Sequence, residues 1–127
     1  MADWVLDSSA VLACLRDEPG GEMAESAFPD SVISAVNLVE VVSRLIEAGY
    51  VDEEAERHAV SGAYSVVGLD QALAMRAGVL RRQTRHLGLS LGDRACLALA
   101  ERERLPVLTA DRAWASLDIG VEIRLIR

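Results

Sequence analysis

The chain has no lysine: all 13 basic residues among its 127 are arginine. Mechanisms that hold a phosphoryl group with a lysine ammonium have no residue to do so, and no P-loop pattern is present. Aromatic residues amount to 4%, which leaves few platforms for stacking bases, so any recognition of nucleic acid would lean on shape and phosphates. No stretch reaches the roughly 18 apolar residues of a membrane span. The opening "MADWVLDSSAVLACL" has no basic segment ahead of its apolar part, which Asp7 interrupts. The expectation is a soluble, unexported, cytoplasmic protein with no membrane partner. Cys14 and Cys96 lie in Ala/Leu-rich helical stretches without metal-ligand spacing, and read as reduced core residues rather than a disulfide. His58 and His86 sit on charged helical stretches, again without ligand spacing. Positive charge is outweighed to a net −7, which excludes indiscriminate binding to phosphates but not a nuclease.

Apolar residues are plentiful, at 51%, enough for one domain over residues 1–127 with a core of ordinary size. They recur as short runs: "WVL" at Trp4 to Leu6, "SVI" at Ser31 to Ile33, "SVVGL" at Ser65 to Leu69, "PVLT" at Pro106 to Thr109 and "VEIRLI" at Val121 to Ile126. These read as five strands. Amphipathic stretches separate them, at Ala35 to Ala48, Asp52 to Ser61, Asp70 to Arg85 and Asp93 to Arg104, with breaks at "DEPGG", Gly49 and Gly88. The alternation implies a three-layer α/β/α fold around a central, mainly parallel five-stranded sheet with right-handed crossovers. The last run alternates Val121, Ile123 and Leu125 with Glu122 and Arg124, the pattern of an edge strand.

Two of the runs end in a carboxylate: Leu6 runs into Asp7, and Thr109 is followed by Ala110 and Asp111. In parallel sheets ligands bind outside the carboxyl ends of the strands, so both acids belong to one edge. A third acid, Glu40, interrupts the apolar helical turn Leu38, Val39, Val41, Val42, and a fourth, Asp93, stands at the mouth of the most apolar helical stretch. Singly, each has a structural explanation. Asp7 precedes a helix, Ser90 and Asp93 have capping-box spacing, Asp111 fits an Asx turn and Glu40 fits a helix edge. Independent caps have no reason to converge, however, and carboxylates about 4 Å apart repel by roughly 4 kcal/mol per pair at an effective dielectric near 20. A divalent cation removes that cost, and an all-oxygen donor set selects magnesium or manganese over zinc.

The stretches "WVLDSSAVLA", "SAVNLVEVVSRL", "GLSLGDRACLALA" and "VLTADRAW" resemble the successive motifs of PIN-domain ribonucleases, in particular the VapC-type toxins of bacterial toxin–antitoxin pairs. The resemblance runs from about Asp3 to Trp114 and includes the order and spacing of all four acids. It implies a PIN-like α/β/α fold and a metal-dependent endoribonuclease whose catalytic, metal-binding acids are Asp7, Glu40, Asp93 and Asp111. It also implies that Ser8 and Thr109 are polar neighbours orienting a carboxylate, water or phosphate. A homodimer and a small antitoxin protein covering the site are implied as well, the latter expected along the first two helices near Val11 to Leu15. Gly20 to Asp30 and the tail after Leu117 carry no family motif, so the choice of RNA is not carried over.

Two other classes place acids similarly. A receiver-like phosphorylation switch or an aspartate-nucleophile phosphatase needs a lysine that this chain lacks, and the phosphatase pattern meets Ser9 where a second aspartate belongs. A non-catalytic module binding a structural cation is the remaining alternative. Finally, "MRAGVLRRQTRHLGLSLGDR" gathers Arg76, Arg81, Arg82, Arg85, His86 and Arg94 beside Asp93. It reads equally as an RNA-backbone path, with Arg81, Arg82, Arg85 and Arg94 as contacts, or as a solvated helix face. Trp114, one turn beyond Asp111, reads as a packing anchor.

Overall fold

Five short strands make one fully parallel sheet in the computed structural model, which describes residues Met1 to Arg127. The strands are β1 (Trp4–Leu6), β2 (Ser31–Ser34), β3 (Ser65–Val67), β4 (Val107–Thr109) and β5 (Ile123–Leu125), in the order β3-β2-β1-β4-β5. From β1 the chain steps outward through β2 to β3, then returns to the other side of β1 for β4 and β5. The direction of winding therefore reverses at β1, and the crevice at such a reversal is where α/β sheets bind ligands. Register brings the ends into line: Leu6 pairs with Ile33 and with Leu108, so Asp7 lies level with the end of β4. β5 is an edge strand, as its alternation implies, and Arg124 lies over the Trp4 ring at 5.4 Å.

Seven α-helices cover the two faces: α1 (Ser8–Leu15), α2 (Gly21–Ala27), α3 (Ala35–Glu47), α4 (Asp52–Ala59), α5 (Gln71–Val79), α6 (Arg81–Thr84) and α7 (Leu91–Glu103). Alternation of side chains along each strand divides the core. Leu6, Ile33 and Leu108 face α1 to α4, joining Val11, Val41, Leu45 and Phe28, while Val5 and Val107 face the helix pair α5 and α7, joining Leu73, Leu80, Leu97 and Leu99. Trp114 is wholly buried in the second cluster, so it is a packing anchor. Cys14 and Cys96 are both free thiols, Cys14 half-buried and Cys96 buried. No helix is long and apolar enough to cross a membrane.

Two expectations need correction. The stretch Asp70 to Arg85 is not one helix: α5 stops at Val79, Leu80 begins a new turn, and a 3-10 turn, Arg85–Leu87, ends at Gly88 in the left-handed region (φ 62°). The Leu80 carbonyl accepts from Gln83 and Thr84 amides and from the Thr84 hydroxyl at 2.8 Å, and this side-chain bond back onto the preceding turn favours a bend. Nor does the face Val11 to Leu15 offer a docking strip. Val11, Leu12 and Ala13 are core residues, leaving only Cys14 and Leu15 half-open. The packing of α2 and α3 against α1 explains this: Gly21 sits directly on the Ala13 carbonyl, where a Cβ would collide.

Candidate active site

Asp7 is the residue on which the site is built. β1 delivers it at the reversal point with 4% exposure, and although it occupies the cap position of α1, its side chain makes no cap hydrogen bond. Its Oδ2 instead accepts from the Ser9 hydroxyl at 2.6 Å and the Thr109 hydroxyl at 2.8 Å. Its Oδ1 is buried with no partner at all. Burial pushes the carboxyl up to about 6; the bonds from Ser9 and Thr109 oppose the rise, and the charges of Asp93 and Glu40 add to it. The alternative reading of Asp7 as a simple helix cap therefore fails on geometry.

The two hydroxyls also join β1 to β4. Ser9 Oγ accepts from the Ala110 amide at 2.9 Å, and Thr109 Oγ1 accepts from the Asp111 amide at 3.0 Å. Asp7 and Asp111 are thus connected through Thr109, whose proton is directed at one acid while its lone pair fixes the backbone of the other. Among the serines, Ser9 rather than Ser8 reaches Asp7. Helical side chains lean back toward the N-terminus, so the second residue of α1, not the first, folds over the preceding carboxylate.

Glu40 is held from two sides by residues that sequence reasoning passed over. Asn37 is wholly buried, and its Nδ2 donates to Glu40 Oε1 at 2.8 Å and to the Gly92 carbonyl at 3.0 Å, linking α3 to α7. Gly92 leaves room for the carboxylate: a Cβ there would collide with both Glu40 oxygens. The clue in "SAVNLVE" is an amide three residues before the acid on an otherwise apolar helical face, the i,i+3 spacing at which side chains meet. Asn37 Oδ1 is a second buried acceptor without a partner.

Asp93 and Asp111 are caps as well as edge acids. Ser90 and Asp93 close a full capping box, with Asp93 Oδ2 accepting from the Ser90 amide at 2.9 Å. Asp111 Oδ1 accepts from the Ala113 amide at 3.0 Å, and its side chain is exposed. In both, the other carboxylate oxygen makes no protein hydrogen bond. Asp7, Glu40 and Asp93 share one electrostatic field: burial is the main force that pushes up the Cys96 thiol, and the charges of all three acids add to it. As the side chains stand, no three acidic, histidine or cysteine groups are close enough to ligate one ion together.

The arginines divide into tied and free. Arg76 makes a bidentate pair with Glu101, Arg102 pairs with Asp70, and Arg94 donates to the Ala77 carbonyl as a strut between α7 and α5. Arg81, Arg82 and Arg85 are exposed and make no ion pair. Of the four arginines proposed as RNA contacts, Arg94 is the one already engaged.

The PIN domain family model matches residues 4–120. Ribonuclease VapC of Mycolicibacterium smegmatis is 32% identical over 125 residues, which cover 91% of this chain and 97% of that protein. A toxin–antitoxin complex from Klebsiella pneumoniae superposes with a TM-score of 0.76 at 22% identity, covering 100% of this chain and 98% of that one. The DNA-bound VapBC of Salmonella typhimurium gives a TM-score of 0.76 at 18% identity, covering 100% of both chains. Matched by the family model over most of its length and by a curated relative over 91% of it, with its acids at the reversal point of a parallel five-stranded sheet, the chain belongs to the PIN-domain family and is of the VapC type.

Proposed function

We propose that this protein is a magnesium- or manganese-dependent endoribonuclease that hydrolyses RNA phosphodiester bonds as the toxin of a toxin–antitoxin pair. The observation that carries the reading is Asp7: a buried carboxylate with one oxygen fixed by two hydroxyls and the other unpaired, in the common field of Glu40 and Asp93. A buried acceptor left without a donor costs roughly 1–3 kcal/mol, more for a charged group, unless something outside the protein satisfies it. The named activity of the Mycolicibacterium smegmatis relative supports RNA as the substrate.

The donor set suits a hard divalent cation. All the candidate ligands are oxygens, and magnesium takes only one or two carboxylates directly while keeping several waters, so it does not require three acids to converge on one ion. Asp7 Oδ1 would hold the ion directly, with Asp93, Glu40 and Asp111 reaching it or its waters. The ion supplies a Lewis acid for the scissile phosphate and for the attacking water. Ser9 and Thr109 keep Asp7 Oδ2 engaged, which leaves the buried Oδ1 as the oxygen free of protein donors; Asn37 keeps the Glu40 carboxylate on the Gly92 side of the site.

Magnesium or manganese should raise the melting temperature by several degrees as its concentration passes the dissociation constant, whereas zinc should act weakly. Undiminished cleavage after exhaustive chelation would sink the metal assignment. The substrate is found by mapping new 5′ ends across cellular RNA after brief expression of wild type and of Asp7→Asn. Ends present only with the wild type identify the RNA class, and identical maps would refute the nuclease reading.

An unregulated endoribonuclease harms its own cell, and acids set in a protein of net charge −7 suit a basic peptide that brings arginine to carboxylate. The proposed regulator is a small antitoxin acting on a homodimer. Co-expression with a neighbouring small reading frame should relieve toxicity and yield a complex; persistent toxicity with no co-elution would remove the antitoxin while leaving the nuclease.

A further inference from the structure

Beyond the acids, one groove combines free charge with exposed apolar surface. It has a volume of about 450 Å³ and is lined by Met75, Gly78 and Val79 of α5 with Arg81, Arg82 and Arg85. Met75 is 64% and Val79 51% exposed, high values for residues of that size. The three arginines make no ion pair although the protein carries seven more negative than positive charges. Acids are within reach of neighbouring helix positions, since Arg76 and Arg102 both find one. A helix face that merely balanced nearby carboxylates would show such pairs here too. Instead the chain bends at Leu80, which turns Arg81, Arg82 and Arg85 onto the groove beside Val79.

We infer that this groove is a second RNA-binding site, which grips the phosphate backbone of the substrate away from the bond being cut. This rests on RNA being the substrate of the acid site. Charge complementarity selects the occupant: guanidiniums match phosphates bidentately, and the stems of Met75 and Val79 offer apolar surface to ribose. With no aromatic side chain in the lining, the groove has no base-stacking platform and reads backbone rather than sequence. The chain leads from it directly to the acids, through the turn Arg85–Leu87 and Gly88 to the Ser90–Asp93 cap of α7. A long RNA thus meets a basic approach and an acidic, cation-loaded end, a division that lets a protein of net negative charge bind a polyanion.

The test is the binding of fluorescein-labelled bulk transfer RNA and of hexauridylate to the magnesium-loaded protein across a salt series. The wild type should bind the long RNA more tightly. Arg81→Gln, Arg82→Gln and Arg85→Gln together should weaken long-RNA binding by on the order of tenfold or more and reduce the log–log salt slope by roughly 2, because each lost phosphate contact removes about 0.7–0.9. The preference for long RNA should collapse. A charge-neutral obstruction separates groove occupancy from general electrostatics. At Gly78 a Cβ would meet nothing within 4 Å, so Gly78→Met fills the groove without disturbing the fold, as a melt checks, and although it changes no charge it should weaken long-RNA binding and lower its salt slope while leaving hexauridylate binding as it was. An unchanged slope and affinity overturn the inference, as does equal weakening for hexauridylate. Loss of a co-purifying acidic protein from the triple variant, with RNA binding intact, would overturn it in favour of a protein partner. A wild type that binds RNA through the groove yet cleaves none would instead refute the catalytic reading.

Discussion

Asp7→Asn should lower RNA cleavage by on the order of 10³-fold or more while making the metal-free protein more stable. The two effects have one origin. Burial, chiefly, pushes the folded Asp7 carboxyl up to about 6 from the ordinary 3.8. Between those pH values the folded state holds a proton that the unfolded state has released, so stability falls as pH rises through the window. Below 3.8 the carboxyl is neutral in both states and costs nothing; above 6 the cost is complete, at about 3 kcal/mol. Asparagine resembles the neutral acid, keeps an acceptor for Ser9 and Thr109, and carries no charge for Asp93 and Glu40 to repel. Chelated Asp7→Asn should therefore match wild type near pH 4 and surpass it by up to about 3 kcal/mol at pH 7. Saturating magnesium should narrow or reverse the difference, because it stabilises only the protein that binds it. Denaturant melts at several pH values, with and without metal, measure this. An Asp7→Asn variant that cleaves RNA would refute the site, and one less stable than wild type in chelator would refute the account of the buried charge.

The same residue marks how far the sequence could be read. All five strands were legible because each is a short apolar run bounded by polar residues, and their alternation with helices leaves few topologies for a parallel sheet. The common edge of Asp7 and Asp111 follows from parallel strands alone, whereas the strand order, and with it the reversal at β1, needed the fold. Spacing also foretold the capping box of Ser90 and Asp93. It did not reveal α2, whose seven residues, "GEMAESA", bury only Gly21 and Ala24 and leave little periodic pattern. The bend at Leu80 was hidden because it comes from a threonine bonding back to a carbonyl, without a proline at the break. Side-chain direction was the other gap. Ser8 and Ser9 are equivalent in a string of letters, and only the lean of helical side chains assigns the contact to Ser9. Asn37 and Gly92 are separated by 55 residues, and one sequence without its fold gives no reason to connect them.

That connection leads to the second large effect. Gly92→Ala should reduce cleavage by on the order of 10²-fold, the cost of moving a reacting-site group by about an ångström. In most helices the change is favourable, since alanine exceeds glycine in helix propensity by about 1 kcal/mol. Here the new methyl meets the Glu40 carboxylate, whose position is already set by Asn37 Nδ2 at 2.8 Å. The carboxylate must swing away, which breaks its bond to Asn37, and the buried amide then loses one of its two acceptors. The carboxylate is the mobile end of its side chain, so the cost is mainly that of the charge-assisted bond to Asn37, about 1.5–3 kcal/mol; propensity offsets only part of it, and a modest fall in melting temperature should accompany the loss of activity. Shortening the acid relieves the collision, and Glu40→Asp added to Gly92→Ala should restore stability. It should recover activity only in part, because the shorter side chain withdraws the carboxylate from the site. Asn37→Ala provides the complement: with Gly92 intact there is no collision, yet Glu40 loses its donor and the Gly92 carbonyl its partner, for a cost of about 1–3 kcal/mol. Both single variants should lower kcat more than they raise KM, since the proposed site places Glu40 at the reacting end of the RNA rather than at its grip. Wild-type kcat in Gly92→Ala would mean that the position of the Glu40 carboxylate is immaterial to cleavage, leaving Asp7, Asp93 and Asp111 to act without it.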